Sequence, residues 1–274
     1  MKKRGNDRNK GTRNMSHVFG QFFSLDSTKA IKARKYGYLN AINYMAPHTM
    51  AGDGNVCGDA SAGCIALCLG WFSGHVSRVK KGQGKRPSNA VRKSRITKVK
   101  MFMHERAAFM KEMVAGILRA ARKAIREGLK LCVRPNGSSD IPWESIKVSR
   151  EMPISVFELF PDVQFVDYTK SLKRALKHAR GEMPANYHLT FSRSETNEAD
   201  CVRVLEAGGN VAVVAAYDAP DTYLGYRVID GDKHDLRFLD ALDEDGSGRG
   251  ACVVWLSPKG VKARRDTSGF VVRL

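Results

Sequence analysis

The sequence has few acidic residues and no long apolar run, and each of these features argues against a class of protein. Only 28 aspartates and glutamates stand against 46 lysines and arginines among 274 residues, which gives a net charge of +18. No apolar run approaches the roughly 18 residues that a membrane span needs. No apolar segment follows the basic N-terminus, as one would in a secretory signal. We therefore expect a cytoplasmic protein with no membrane partner.

Several nucleotide-binding and nucleophile motifs are also missing. No Gly-x-Gly-x-x-Gly follows an apolar strand and no Gly-x4-Gly-Lys-Ser/Thr occurs, which argues against a dinucleotide-binding fold and a P-loop. The chain has no His-x-His of the kind that rolling-circle nucleases need, and it has no Gly-x-Ser-x-Gly elbow. Any chemistry must therefore come from other residues.

The excess of positive charge predicts a polyanionic partner, most simply nucleic acid and DNA in preference to RNA, because phosphate neutralisation supplies sequence-independent affinity. No acidic residue occurs between Asp59 and Glu105, whereas residues 78–100 contain ten lysines or arginines. Such a run is usually a solvated face, but without a balancing carboxylate it favours phosphate contact. Residues 1–14 predict a disordered basic arm, followed by one domain over 15–274. The candidate nucleic-acid-binding residues are Arg92, Lys93, Arg95, Lys98, Arg134 and Arg193.

Three of the six cysteines fall in one stretch rich in glycine, serine and alanine, with the spacing Cys57-x6-Cys64-x3-Cys68. Thiolates bind zinc and iron–sulfur clusters, and small intervening residues let a loop wrap around a metal. We predict zinc as the cofactor, with an iron–sulfur cluster as the alternative. The predicted ligands are the three cysteines and His75, and His48 is a second candidate for the fourth position. The competing interpretation is a small cluster of buried thiols.

After Gly128, short apolar strands alternate with short helices. Near-continuous apolar strands of this kind are typical of a parallel sheet covered on both faces. About seven strands, with one over residues 36–46, favour an α/β fold with a complete or partial TIM-like βα-barrel. The cysteine-rich loop follows the first strand. A long helix from Asn89 to about Glu127, broken near Gly116, precedes the second.

The C-terminal ends of the expected strands are polar. In a βα-barrel, active residues collect at these ends. The candidate catalytic residues are Asp140, Asp167, Glu195 and Asp230. A carboxylate can act as a general acid or base, or as a nucleophile on a sugar carbon. The alternative for each is capping of the helix that follows.

The cysteine loop, the basic helix and the segments 131–140, 163–170 and 186–194 resemble phage- and prophage-encoded proteins. The resemblance is greatest to the actinophage "gene product eighty-eight" group, over about residues 36–270. It implies a location in the host-cell cytoplasm. More distantly, the chain resembles two barrel families, the guanine (7-deazaguanine DNA) transglycosylases and the radical S-adenosylmethionine enzymes.

These features predict a phage nucleic-acid base-modifying enzyme that exchanges a base on DNA, with a modified-base small molecule as a possible second substrate. The transglycosylase resemblance implies that one aspartate attacks the sugar carbon while a second handles protons, and we assign these roles to Asp140 and Asp167. The base must first be flipped out of the stack. Two alternatives stay open: an iron–sulfur, radical S-adenosylmethionine-like modification enzyme, and a non-enzymatic nucleic-acid-binding replication accessory with a structural metal.

Overall fold

The computed structural model describes residues 21–77, 89–240 and 250–273. The predicted basic arm at 1–14 and part of the basic run at 78–88 lie outside these residues, so both stay predictions. Within them, no helix is long and apolar enough to cross a membrane.

Eight strands form one sheet. They are β1 (Tyr38–Ile42), β2 (Lys130–Arg134), β3 (Gln164–Thr169), β4 (Tyr187–Ser192), β5 (Val211–Val214), β6 (Thr222–Tyr223), β7 (Tyr226–Asp230) and β8 (Val253–Leu256). The helices are α1 (Thr28–Arg34), α2 (Ala62–Ala66), α3 (Leu69–Phe72), α4 (Gly74–Ser77), α5 (Ala90–His104), α6 (Arg106–Arg126), α7 (Val156–Leu159), α8 (Leu172–Ala179), α9 (Glu198–Glu206) and α10 (Gly260–Arg264).

The sheet is open, so the prediction of a complete TIM-like barrel is wrong, and the alternative of a partial barrel is not confirmed. Its strand order is β1-β2-β3-β4-β5-β8-β7-β6, and every neighbouring pair is parallel except β6 with β7. β8 inserts between β5 and β7, so the last strands do not continue round towards β1. The outer edge of β1 instead bonds to Ser24, whose amide donates to the Ile42 carbonyl at 2.8 Å. The predicted α/β class with a mostly parallel sheet is confirmed.

The two faces of the sheet are covered differently, as alternation along a strand requires. Leu131 and Val133 of β2 pack with α5 and α6 in the larger core, and α8 and α9 cover the same face of β4 and β5. Cys132 points the other way and packs with Ala33 of α1 and with Leu236. Helices α5, α6, α8 and α9 therefore form one layer, and α1 with the chain around Leu236 forms the other.

The long basic helix is interrupted, but not where the sequence predicted. The break falls at Glu105, between α5 and α6, and Gly116 lies buried inside α6. A Cβ atom at Gly116 would lie 3.0 Å from the ring of Phe23 and 3.2 Å from Phe22. The glycine therefore provides space for these two aromatic side chains to approach the helix.

Lys98 on α5 gives the stability of the fold a specific pH dependence. Its ammonium donates to the Phe22 carbonyl at 2.5 Å and to Asn43 Oδ1 at 3.1 Å, and burial, reinforced by the charge of Arg95, lowers its pKa to about 7. Because the unfolded chain then binds more protons above pH 7, we expect stability to rise from there to the ordinary lysine pKa of about 10.4, by at most about 1.4 kcal/mol per pH unit.

Urea unfolding of the Lys98→Met variant between pH 6 and pH 10 tests this expectation, with the exposed Lys100→Met as its matched control. Removal of Lys98 should flatten the rise, whereas removal of Lys100 should leave it. The same rise in both variants would contradict a lowered lysine pKa in the folded state.

Candidate functional site

The C-terminal ends of β1 to β4 meet at one edge of the sheet, because these strands are parallel and consecutive. The loops that leave them bring together four of the candidate residues, with a lysine that the sequence analysis did not single out. We call this group the rim and define it by Cys57, Cys68, Asp140, Lys170 and Glu195. It lies where ligands bind in open parallel sheets, outside the carboxyl ends of the strands.

The cysteine loop follows β1 and packs against the loop after β2. The sulfur of Cys57 accepts the His48 amide at 3.3 Å and lies 3.9 Å from the Ser138 carbonyl oxygen. Burial, with a smaller contribution from the charge of Cys64, raises the pKa of Cys57 to about 12 and that of Cys68 to about 11. Thiols with these pKa values are neutral at pH 7 and poor nucleophiles.

The arrangement of these side chains does not by itself form a metal site. Among the described residues, no group of three or more His, Cys, Asp or Glu side chains is placed to hold a metal ion. The side chain of His75 lies outside the described part of the chain. The ring of His48 faces Thr49, with its Nδ1 3.1 Å from the threonine hydroxyl. The predicted metal ligands therefore stay a prediction.

Both oxygens of the Asp140 carboxylate, which belongs to the rim, accept hydrogen bonds. Its Oδ1 accepts Arg174 Nη1 at 2.5 Å, and its Oδ2 accepts the Thr169 hydroxyl at 3.1 Å and the Lys170 amide at 2.8 Å. Burial raises its pKa, and the Arg174 guanidinium opposes that rise. Its side chain is 13% exposed. The carboxylate is thus oriented by the chain after β3 and remains in reach of the rim.

Asp167 of β3 lies beneath the rim and is completely buried. Its carboxylate accepts the Asn136 amide at 2.8 Å, the Asn136 side chain at 2.9 Å and the Tyr187 hydroxyl at 3.0 Å. Burial raises its pKa to about 7, although the charge of Arg134 opposes the rise. Asp167 therefore supports the loop after β2 and does not itself reach the rim surface.

Arg174 of α8 connects the two aspartates and was missed by sequence reasoning. It pairs bidentately with Glu144 at 2.7 and 2.9 Å and also donates to the Tyr187 hydroxyl at 3.0 Å. The resulting network runs from Asp140 through Arg174 and Tyr187 to Asp167. Nothing in the local sequence around Arg174 indicates this role, since a lone arginine in a short helix usually faces solvent.

Glu195, after β4, holds the cysteine loop to the sheet edge. It accepts the Ser61 hydroxyl at 2.8 Å and the Gly63 amide at 2.7 Å, at the start of α2. Burial alone would raise its pKa, but these hydrogen bonds and the charge of Lys170 outweigh it and lower the pKa overall. The structure therefore brings Glu195 next to the cysteine loop, 132 residues away in sequence from Gly63.

Lys170 occupies the centre of the rim and was not among the predicted site residues. Burial is the largest influence on the pKa of Cys68, Asp140 and Glu195, and the positive charge of Lys170 lowers the pKa of all three. Its Nζ lies 5.2 Å from the centre of the Phe270 ring. The signal that could have identified it is its position directly after β3, three residues beyond the candidate Asp167.

Two predicted residues lie away from the rim. Asp230 ends β7, is exposed, and accepts the Asp232 amide at 2.8 Å within its own turn. Arg134 ends β2 on the α1 face, where it pairs with Asp235 at 3.3 Å and lies 4.7 Å from the centre of the Tyr168 ring. The insertion of β8 separates β7 from β5 and explains the position of Asp230.

Most of the predicted nucleic-acid-binding residues make internal contacts. Arg92 donates to the Val76 carbonyl at 2.8 Å, and Arg95 bonds the Gly70 carbonyl, so both hold the short helices of the cysteine loop. Arg193 donates to the Gly269 carbonyl at 3.0 Å, and Lys98 is buried, as described above. Lys93 is exposed on α5. Contact of these residues with phosphate stays a prediction.

Gly63 permits the close contact between the cysteine loop and the rest of the rim. A Cβ atom there would lie 2.8 Å from Glu195 Oε2, 2.8 Å from Phe270 Cβ and 2.9 Å from Ser268 Oγ. We expect Gly63→Ala to lower the free energy of unfolding by about 1–3 kcal/mol, because overpacking forces the loop outwards. The same displacement should speed the reaction of Cys64 and Cys68 with an aromatic disulfide reagent.

The matched control is Gly58→Ala in the same loop, where a Cβ atom would meet nothing within 4 Å. Thermal unfolding and thiol-labelling rates measured on both variants make the comparison. Equal behaviour of the two alanine variants would show that the contact at Gly63 is not constraining.

Comparisons with known proteins identify the family of this chain but not any reaction that it catalyses or any ligand that it binds. No curated protein and no solved structure matches the chain, so the resemblances to guanine transglycosylases and to radical S-adenosylmethionine enzymes gain no support. A family model described as Gene product 88 matches residues 20–274, which include the whole rim. The chain belongs to the Gene product 88 family.

Proposed function

We propose that this chain is a nucleic-acid base-modifying enzyme whose reaction centre is the rim. The observation that carries the proposal is that the loops after four neighbouring strands bring an ammonium, two carboxylates and half-buried thiols to one sheet edge. A site of this composition can bind an anionic substrate and transfer protons. The net charge of +18 supports nucleic acid as that substrate.

The favoured reaction is base exchange on DNA. The Asp140 carboxylate attacks the C1′ carbon of a flipped-out nucleotide, so that a carbon–oxygen bond forms as the bond from C1′ to the base breaks. Lys170 gives its proton to the departing base. An incoming modified base then attacks C1′, releases Asp140 and returns a proton to Lys170. The two half-reactions balance and need no oxidant or reductant.

The surrounding residues have separate roles in this proposal. Arg174 opposes the rise in the pKa of Asp140 that burial causes, and it orients the carboxylate through a 2.5 Å hydrogen bond. Asp167 is a positioning residue, because the two hydrogen bonds that it accepts from Asn136 fix the loop that carries Asp140, and a third, from the Tyr187 hydroxyl, ties it to β4. Glu195 holds the cysteine loop against the rim and so limits access of water to the site.

A zinc ion or iron–sulfur cluster at Cys57, Cys64 and Cys68 is a separate proposal. The described side chains do not stand in a metal-binding arrangement, so no step of the reaction is assigned to a metal. Metal analysis of anaerobically purified protein separates the possibilities. A brown protein absorbing near 400 nm would favour a cluster and the radical alternative, whereas a colourless protein with bound zinc would favour a clamp on the loop.

Nucleoside mass spectrometry of DNA from cells that express the protein tests the proposal. We expect a modified nucleoside with the wild-type chain and none with Asp140→Asn or Lys170→Ala. Asp200→Asn, on the exposed face of α9, is the control and should leave the modification intact. If the nucleoside composition is unchanged by the wild-type chain, or is changed equally by all variants, base modification by the rim is excluded. Retained nucleic-acid binding without modification would then favour the replication-accessory alternative.

A further inference from the structure

A second polar cleft lies beside the rim, at the carboxyl ends of β5 and β8. It has a volume of about 410 Å³ and is open to solvent. After β5 the chain crosses to β6 and β7, beyond β8, whereas after β8 it returns until Val272 bridges to Ala215. A crevice between strands whose connections diverge in this way is the usual ligand position in open parallel sheets.

The lining of the cleft includes two arginines, Arg264 and Arg273. Arg273 is held in place by the main chain, since it donates to the Asp266 carbonyl at 3.0 Å and to the Arg264 carbonyl at 2.6 Å. The Asp266 carboxylate is occupied by Ser268 and by the Val271 amide. Within the described residues, no carboxylate forms an ion pair with either arginine, so the pair is available to an anion.

The segment after β5 adds an aromatic ring and a carboxylate to the lining of the cleft. The ring of Tyr217 lies 5.1 Å from that of Trp255, and Trp255 Nε1 donates to the Tyr217 carbonyl at 3.1 Å, which fixes this segment. Asp218 is exposed beside it and can accept from a sugar hydroxyl or a base amino group. A ring, a carboxylate and two arginines around a cleft of this volume match a nucleotide unit.

We propose that this cleft binds the phosphate group of a nucleotide unit through Arg264 and Arg273, with its base against Tyr217. The segment that carries both arginines also reaches the rim, because Phe270 lies 5.2 Å from Lys170 Nζ. A strand anchored in the cleft therefore passes towards Lys170. This link to the reaction rests on the proposed function, whereas phosphate binding by the cleft does not.

Fluorescence anisotropy with a short labelled oligothymidylate tests the site on the full chain. Arg264→Ala should weaken binding about tenfold or more, because a charge-assisted contact to phosphate is lost. The side chain of Arg264 has no hydrogen bond to the rest of the described chain, so this variant should fold normally. Arg122→Ala, an exposed arginine on α6, is the matched control and should bind as the wild type does.

Competition with a deoxynucleoside monophosphate identifies the source of the phosphate. Displacement of the probe by the monophosphate and by inorganic phosphate supports a site for a free nucleotide, and displacement only by unlabelled oligothymidylate supports a site for a strand. Binding by Arg264→Ala that equals Arg122→Ala overturns the proposal. Absence of the modified nucleoside together with probe binding that still depends on Arg264 would contradict the reaction alone, whereas probe binding that does not depend on Arg264 would contradict the phosphate site alone.

Discussion

Replacement of Arg174 by methionine is expected to lower the free energy of unfolding by about 3–5 kcal/mol, because it leaves buried carboxylates without their cation. Arg174 is only 10% exposed and pairs with Asp140 and with Glu144, which are themselves 13% and 12% exposed. Methionine keeps much of the apolar stem, so the loss reports the guanidinium and not the packing. Urea unfolding monitored by tryptophan fluorescence measures the change, since Trp143 lies in the adjoining loop.

The control for this prediction is Arg203→Met on α9. Arg203 is 58% exposed and pairs with Asp200 at 3.2 Å, and exposed pairs of this kind contribute about 0–1 kcal/mol. Arg174→Lys adds a second comparison, because it keeps the charge but cannot pair bidentately with Glu144. We expect an intermediate loss. If Arg174→Met costs no more than Arg203→Met, the buried network does not stabilise the fold.

The second large effect is expected at Lys170. In the proposed reaction it protonates the departing base, and loss of a general acid typically slows catalysis about 10²–10⁴-fold. Lys170→Ala should therefore abolish detectable base modification in DNA while leaving thermal unfolding nearly unchanged, since its side chain lies at the rim surface. The measurement is the yield of modified nucleoside per unit of protein, by mass spectrometry.

Two variants make the Lys170 result specific. Lys173→Ala removes an exposed lysine from α8, three residues further on, and should keep the wild-type yield. Lys170→Arg keeps the positive charge but holds its proton more tightly, so it should retain affinity for oligothymidylate and lose modification. Modification by Lys170→Arg at the wild-type level would mean that Lys170 acts by charge alone.

The sequence correctly located three of its four candidate carboxylates at one sheet edge. Asp140 and Glu195 follow β2 and β4, and Asp167 lies within the second half of β3, beneath the rim. Parallel neighbouring strands must place their carboxyl ends together. The same argument failed for Asp230. Its strand β7 also runs parallel, but β8 pairs between it and β5. No local feature of residues 226–256 predicts that insertion, because strand order depends on long-range pairing.

The sequence also did not predict on which face of the sheet a residue lies. Every residue of β2 after Lys130 is buried, so the usual alternation of apolar and polar residues is missing. Without this alternation, the sequence does not show that Arg134 lies on the face of the sheet where it pairs with Asp235. Lys98 illustrates the same limit on a helix, since its ammonium is buried only because Phe22 and Asn43 supply oxygens from distant parts of the chain.

The amino-acid sequence alone determined the class of fold, the polar carboxyl edge and the cysteine loop after the first strand, because these depend on hydrophobic periodicity and on residue types that are adjacent in the chain. The tertiary structure decided which of those residues are buried and which of them lie next to one another. It buried Asp167, placed Lys170 among Cys68, Asp140 and Glu195, and joined Arg174 to two carboxylates. Burial and neighbouring charge set the chemistry of each group, and both are properties of contacts between residues far apart in sequence.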